Sequence, residues 1–137
     1  MKLVSKKDML FVAALFLFVI VFSLLTGGDA VELSFETESM NIKASGFNFT
    51  IAYQDVANLE LSTLPDLGEM DKGTDTASFK CGNWNNVIWG DYHLCVIPAN
   101  ESCIVVTLTD GRTVVFNYKE AENTADAFDI FKSNLAA

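Results

Sequence analysis

The stretch "DGRTVVFNYKEAENTADAFDIF", residues 110–131, changes its periodicity part-way along. Its first half, "TVVFNY" at 113–118, is β-branched and aromatic and suits a strand. In the second half, Thr124, Phe128 and Phe131, followed by Leu135, recur at spacings of four, three and four, which line up on one face of a helix. Asn123 or Thr124 can cap that helix, with Asp126 in its first turn where a negative charge suits the exposed N–H groups. Upstream, "CIVVTL" at 103–108 is a second apolar run, and Asp110 with Gly111 separates the two. Asp-Gly favours a two-residue hairpin turn, because glycine takes positive φ without steric cost. The chain therefore closes with a hairpin and then one amphipathic helix.

Working outward, apolar runs of about four to eight residues recur as "VELSF", "MNIKA", "FNFTIAY", "VANLELSTL", "ASFKC" and "YHLCVI". They are rich in Val, Ile, Phe and Tyr and bounded by turn formers such as Ser45 with Gly46 and Pro98 with Asn100. A small antiparallel sheet or barrel is the expected outcome. The segment "LPDLGEMDKGTDTA", residues 64–77, has no apolar periodicity and mixes Pro, Gly and acidic residues, so it reads as a long surface loop.

At the other end of the chain, residues 9–28 contain no charge, and 20 residues of helix span about 30 Å, the thickness of a bilayer core. Lys2, Lys6 and Lys7 precede this run and Asp29, Glu32, Glu36 and Glu38 follow it. The positive-inside rule then puts residues 1–8 in the cytoplasm as a basic tail and residues 29–137 outside, on a single-pass membrane anchor. The competing reading is a secretory signal peptide, for which Gly28, Asp29 and Ala30 offer a small-x-small cleavage pattern.

Residues 29–137 fit one domain and carry 6 basic and 17 acidic groups, a net charge of −11. Nucleic acid and anionic lipid surfaces need clustered Lys and Arg, and no cluster exists beyond the first seven residues. The composition excludes both as partners of the domain, and only the apolar helix is expected to meet lipid.

The order "FNFTIAYQDVANLEL", "LP", a glycine-containing loop, "SFKC", "WGDYHLCVI", "CIVVTLTDGRTVVFN" and a closing "ENTADAF" helix resembles the bacterial pleckstrin-homology-like domains found beside membrane helices. The likeness covers about residues 31–135 and rests on Ile51, Tyr53, Asp55 and Val56, the Phe116 and Asn117 pair, and Thr124. It implies a mainly β fold: a partly open, seven-stranded antiparallel barrel of two packed sheets, with the C-terminal helix plugging one end. Many such proteins carry two membrane helices, whereas this chain offers one. Relatives that bind phosphoinositides place Lys and Arg between the first two strands. Here that stretch is "FETESMN", and Glu36 and Glu38 repel a phosphate, so no phosphoinositide binding is expected.

Catalytic signatures are sparse. His93 is the single histidine, no G-x-S-x-G elbow occurs, and Asp66, Asp71 and Asp75 lack the spacing of a calcium loop. Neither a catalytic residue nor a metal site nor a cofactor is expected. The aromatic segment "NWNNVIWGDY" is the candidate binding surface, through Trp84, Trp89 and Tyr92, although such residues also serve as core. Cys95 and Cys103 flank "IPANES"; a hairpin there would set them opposite one another for a disulfide, leaving Cys81 over. Asn48 and Asn100 begin glycosylation sequons. The composite expectation is a membrane-anchored, extracytoplasmic binding or scaffold module that recognises another protein. The alternatives are a small surface hydrolase using carboxylates, or a self-assembling element of a membrane complex.

Overall fold

Nine strands and one helix succeed one another along residues 31–136, the part of the chain that the computed structural model describes. The expected anchor at 9–28 lies outside the described residues. No helix among them is long and apolar enough to cross a membrane. The strands are β1 (Glu32–Phe35), β2 (Ser39–Ala44), β3 (Phe47–Ala52), β4 (Val56–Thr63), β5 (Glu69–Asp75), β6 (Lys80–Asn86), β7 (Gly90–Val96), β8 (Ser102–Leu108) and β9 (Thr113–Phe116). A 3-10 turn, Tyr53–Asp55, joins β3 to β4, and helix α1 (Ala121–Ala136) ends the fold.

These strands form two sheets, which do not close into one barrel. The smaller has the order β1-β2-β3, and the larger has the order β4-β8-β9-β7-β6-β5. The expected seven-stranded antiparallel barrel is thus corrected to nine strands among the described residues, with one parallel pairing, β7 to β9.

One face of the larger sheet presents Cys81, Cys95, Ile104, Val106, Val114 and Phe116 to Met40, Ile42 and Ile51 of the smaller sheet and to Ala127 and Phe131 of α1. Its other face carries Trp84, Tyr92, Leu94, Val96, Cys103, Val105 and Val115, covered by Leu64, Leu67 and Trp89. The central strands β7, β8 and β9 are therefore buried on both sides. That is why "CIVV" and "TVVF" read as continuous apolar runs and not as alternating ones.

The helix closes the space between the sheets with Phe131, which is fully buried. Its ring lies 5.8 Å from Phe35, 6.0 Å from Tyr53 and 6.4 Å from Phe116, so β1, the 3-10 turn and β9 meet on one side chain. Burying a Phe contributes about 1.5–3 kcal/mol, and this one also sets the height of the helix over both sheets. Thr124 and Phe131 are buried and Phe128 and Leu135 partly so, as their spacing predicts. The helix begins four residues earlier than a cap at Thr124 requires. Its first turn starts at Ala121, and the Thr124 hydroxyl points inward, donating to the Glu120 carbonyl at 3.0 Å and accepting the Tyr118 N–H at 3.0 Å.

The hairpin of β8 and β9 forms as expected, with Val105 opposite Val115. Its loop is one residue longer than the two-residue form. Leu108 and Arg112 close it, Gly111 N–H bonds to the Leu108 carbonyl at 2.9 Å, and Gly111 takes φ +91°. This is the three-residue loop in which glycine supplies the left-handed position.

Residues 64–77 are not a continuous loop, because 69–75 form the edge strand β5. All but one of its side chains are exposed, so it has no apolar face to show in the sequence. What holds it is backbone: Gly73 lies directly opposite Gly82 of β6, where a Cβ on either would run into a carbonyl of the facing strand. Gly82→Ala is expected to cost about 1–3 kcal/mol and to release β5, since the residue needs φ +112° as well as the space. Amide exchange of residues 69–75 should accelerate while β8 and β9 stay protected. Unchanged protection of 69–75 would contradict this account of the edge.

Candidate functional site

The aromatic segment lies on the hairpin of β6 and β7, whose register runs from Lys80 opposite Val96 to Asn86 opposite Gly90. Side chains alternate across a strand, so Trp84 and Tyr92, directly opposite one another, fall on the same face. That face is the covered one. Trp84 is 3% exposed and Tyr92 2%, which makes both of them core. Their polar atoms are satisfied inside: Trp84 Nε1 donates to the Cys81 carbonyl at 3.2 Å, and Tyr92 Oη donates to the Leu67 carbonyl at 2.7 Å. Burial and the nearby Asp66 push the Tyr92 phenol well above its ordinary range. Trp89 is half-buried and packs edge-on against Tyr92 at 5.0 Å.

The residues that remain free are the two that the aromatic pattern passes over. Val87 and Ile88, at the tip of the hairpin, are 102% and 64% exposed. The tip is built, not loose. Asn86 accepts the Trp89 N–H on Oδ1 at 2.7 Å and donates through Nδ2 to the Asp66 carbonyl at 3.1 Å. A short strap, residues 64–68, is thereby fastened to the hairpin at Tyr92 and Asn86. Beside the tip lies an open groove of about 330 Å³ lined by Asp66, Glu69, Asn85, Asn86, Val87 and Ile88. The sequence carried one signal of this, an apolar pair inside an asparagine- and glycine-flanked turn.

A second grouping surrounds His93. Its Nδ1 is 3.0 Å from Asn83 Oδ1, and its ring lies 4.6 Å from Phe49, over which the Arg112 guanidinium sits at 5.7 Å. The hydrogen-bond partner of His93 is thus the neutral side-chain amide of Asn83. Asp75 pairs with Lys80, and Asp66 accepts the Gly68 N–H at 2.9 Å. Among the described residues no group of three His, Cys, Asp or Glu side chains is placed to hold a metal ion.

The disulfide expected between Cys95 and Cys103 rests on a hairpin that does not form. β9 lies between β7 and β8, Cys103 faces Ser62, and Cys95 and Cys103 point to opposite faces of the sheet. Burial, with Glu60 nearby, pushes the Cys103 thiol up to about 11. Of the two sequons, Asn100 is buried with its amide donating to the Tyr118 carbonyl and to Thr124 Oγ1, which closes it to a glycan; Asn48 is exposed.

Burial first, and Arg112 second, hold His93 below its ordinary 6.5, with Asp110 opposing them. Between 6.5 and the lower folded midpoint, the unfolded chain binds a proton that the folded chain refuses, so stability falls as pH drops through that window. As the single histidine, it gives one assignable ring signal, whose midpoint should lie below 6.5 by NMR. A midpoint at or above that value would contradict the packing described.

Comparison with protein-family models, with curated proteins and with solved structures finds no match for this chain.

Proposed function

We propose that residues 29–137 are a non-enzymatic binding or scaffold module, held at the outer face of a cell membrane by residues 9–28, which recognises another protein with the tip of the β6 and β7 hairpin. The observation that carries this reading is the exposure of Val87, complete, and of Ile88, about two thirds, on a hairpin whose base is fixed by buried Trp84 and Tyr92. Single exposed hydrophobes are ordinary on a protein surface. Two adjacent ones on a turn locked by Asn86 form a small, pre-organised apolar knob, and pre-organisation lowers the ordering cost of binding. Asp66 and Glu69 border the groove beside it. The complementary partner offers an apolar socket with Lys or Arg at its rim.

The pleckstrin-homology-like reading draws support from two packed sheets followed by a closing helix. The nine strands and the parallel pairing depart from the barrel that the family resemblance implies. Glu36 and Glu38, in the turn after β1, argue against an anionic head group as the ligand.

The test places a photo-reactive residue at Ile88 of the full-length protein in its own membrane, and at exposed Lys132 on α1 for comparison. Position 88 should yield a discrete protein adduct that position 132 does not, and Ile88→Asp should cut recovery of that partner about tenfold or more. An adduct of twice the chain's mass would make the partner a second copy. Equal labelling from both positions, or adducts of phospholipid alone, would contradict the proposal.

A further inference from the structure

Cys81 on β6 and Cys95 on β7 are Cα partners in the register of the hairpin, and both are buried, at 2% and 0% exposure. Directly opposite residues of an antiparallel pair have Cα atoms about 4.5 or 5.5 Å apart, depending on whether they share hydrogen bonds. Both values lie inside the range of about 4.4–6.8 Å that a disulfide spans. Both side chains point to the same face, toward the smaller sheet and α1. Both are free thiols in this structure.

We propose that Cys81 and Cys95 are a disulfide-forming pair, and that their oxidation staples the base of the hairpin that carries Val87 and Ile88. The reaction needs an external oxidant of the disulfide class, such as oxidised glutathione. The Cys81 thiolate attacks one of its sulfurs, forming a mixed disulfide and releasing one glutathione thiol. The Cys95 thiolate then attacks Cys81 Sγ, forming the internal bond and releasing the second. Two protein thiols are oxidised and one glutathione disulfide is reduced to two thiols.

The roles follow from the pair's own chemistry. The proximity of Cys95 lowers the Cys81 thiol below its ordinary value, while Cys81 first and burial second raise the Cys95 thiol. Cys81 also lies on β6, next to the edge strand β5, whereas Cys95 on β7 lies one strand deeper, so Cys81 is the first nucleophile. Cys103, on the opposite face of the sheet, takes no part. In the folded protein the pair is reached when β5 and β6 open locally; during folding it is reached before the sheet closes.

The experiment uses the full-length protein, oxidised with glutathione disulfide both as the folded protein and during refolding from urea. After acid quenching, remaining thiols are alkylated and the unreduced protein is mapped. A single linked peptide joining Cys81 to Cys95 is expected, with Cys103 alkylated. Cys103→Ser should leave that link intact and Cys81→Ser should abolish it. The linked form closes a loop of about 15 residues and should shift the folding equilibrium roughly a hundredfold toward the folded state. Three alkylatable thiols under both oxidising conditions, a link that includes Cys103, or a linked form no more stable than the reduced one would overturn the proposal.

Discussion

The side chain of Asn117 is the constraint on which the rest of this fold depends. It is the first residue past β9 and fully buried. Its Oδ1 accepts the Ile97 N–H at 2.8 Å, and its Nδ2 donates to the carbonyls of Asn100 at 2.9 Å, Ser102 at 3.0 Å and Ile97 at 3.3 Å. These groups belong to the connection between β7 and β8 and to Ser102, the first residue of β8. Because β9 inserts between those two strands, the connection must arch across the width of a strand, and its inward backbone groups have no ladder to join. Asn117 supplies the missing partners. Asn100, on the same arch, continues the network to Thr124 Oγ1 at 3.1 Å, which ties the start of α1 to the end of the sheet. No buried side-chain polar atom is left unpaired among the described residues.

This arrangement explains what the sequence does and does not disclose. The closing hairpin and the inward face of the helix are legible, because each depends on local turn chemistry and on a periodicity carried by Val114, Val115, Phe128 and Phe131. The strand order is not legible. "IPANES" has the composition of a hairpin turn, and only the insertion of β9, a long-range event, turns it into an arch and separates Cys95 from Cys103. Edge strand β5 is hidden for another reason. Its stability comes from backbone pairing and the close approach of Gly73 to Gly82, neither of which leaves an apolar pattern.

The candidate site shows the same division. Trp84 and Tyr92 stand out in the sequence because they are large, and large aromatics on the inner face of a hairpin are most simply used as core. Their burial frees the neighbouring Val87 and Ile88 to project at the tip. Rigidity and exposure are thus assigned to adjacent residues of one segment, with Asn86 holding the boundary between them through its bonds to Trp89 and Asp66. The central strands and the network at Asn117 anchor β7, and β7 in turn carries the hairpin.

A hydrogen bond to a buried amide contributes about 1 kcal/mol net, but unpaired buried partners cost about 1–3 kcal/mol each, so loss of this side chain leaves several groups of the arch unsatisfied at once. Asn117→Ala, followed by urea unfolding and native-state amide exchange, is the most direct test of that dependence. The account predicts a lower unfolding midpoint and faster exchange by a common factor in residues 97–102, in β8 and β9, and in the first turn of α1. An unchanged midpoint, or faster exchange confined to residues 97–102, would show that the arch is a local ornament and that the fold is held elsewhere.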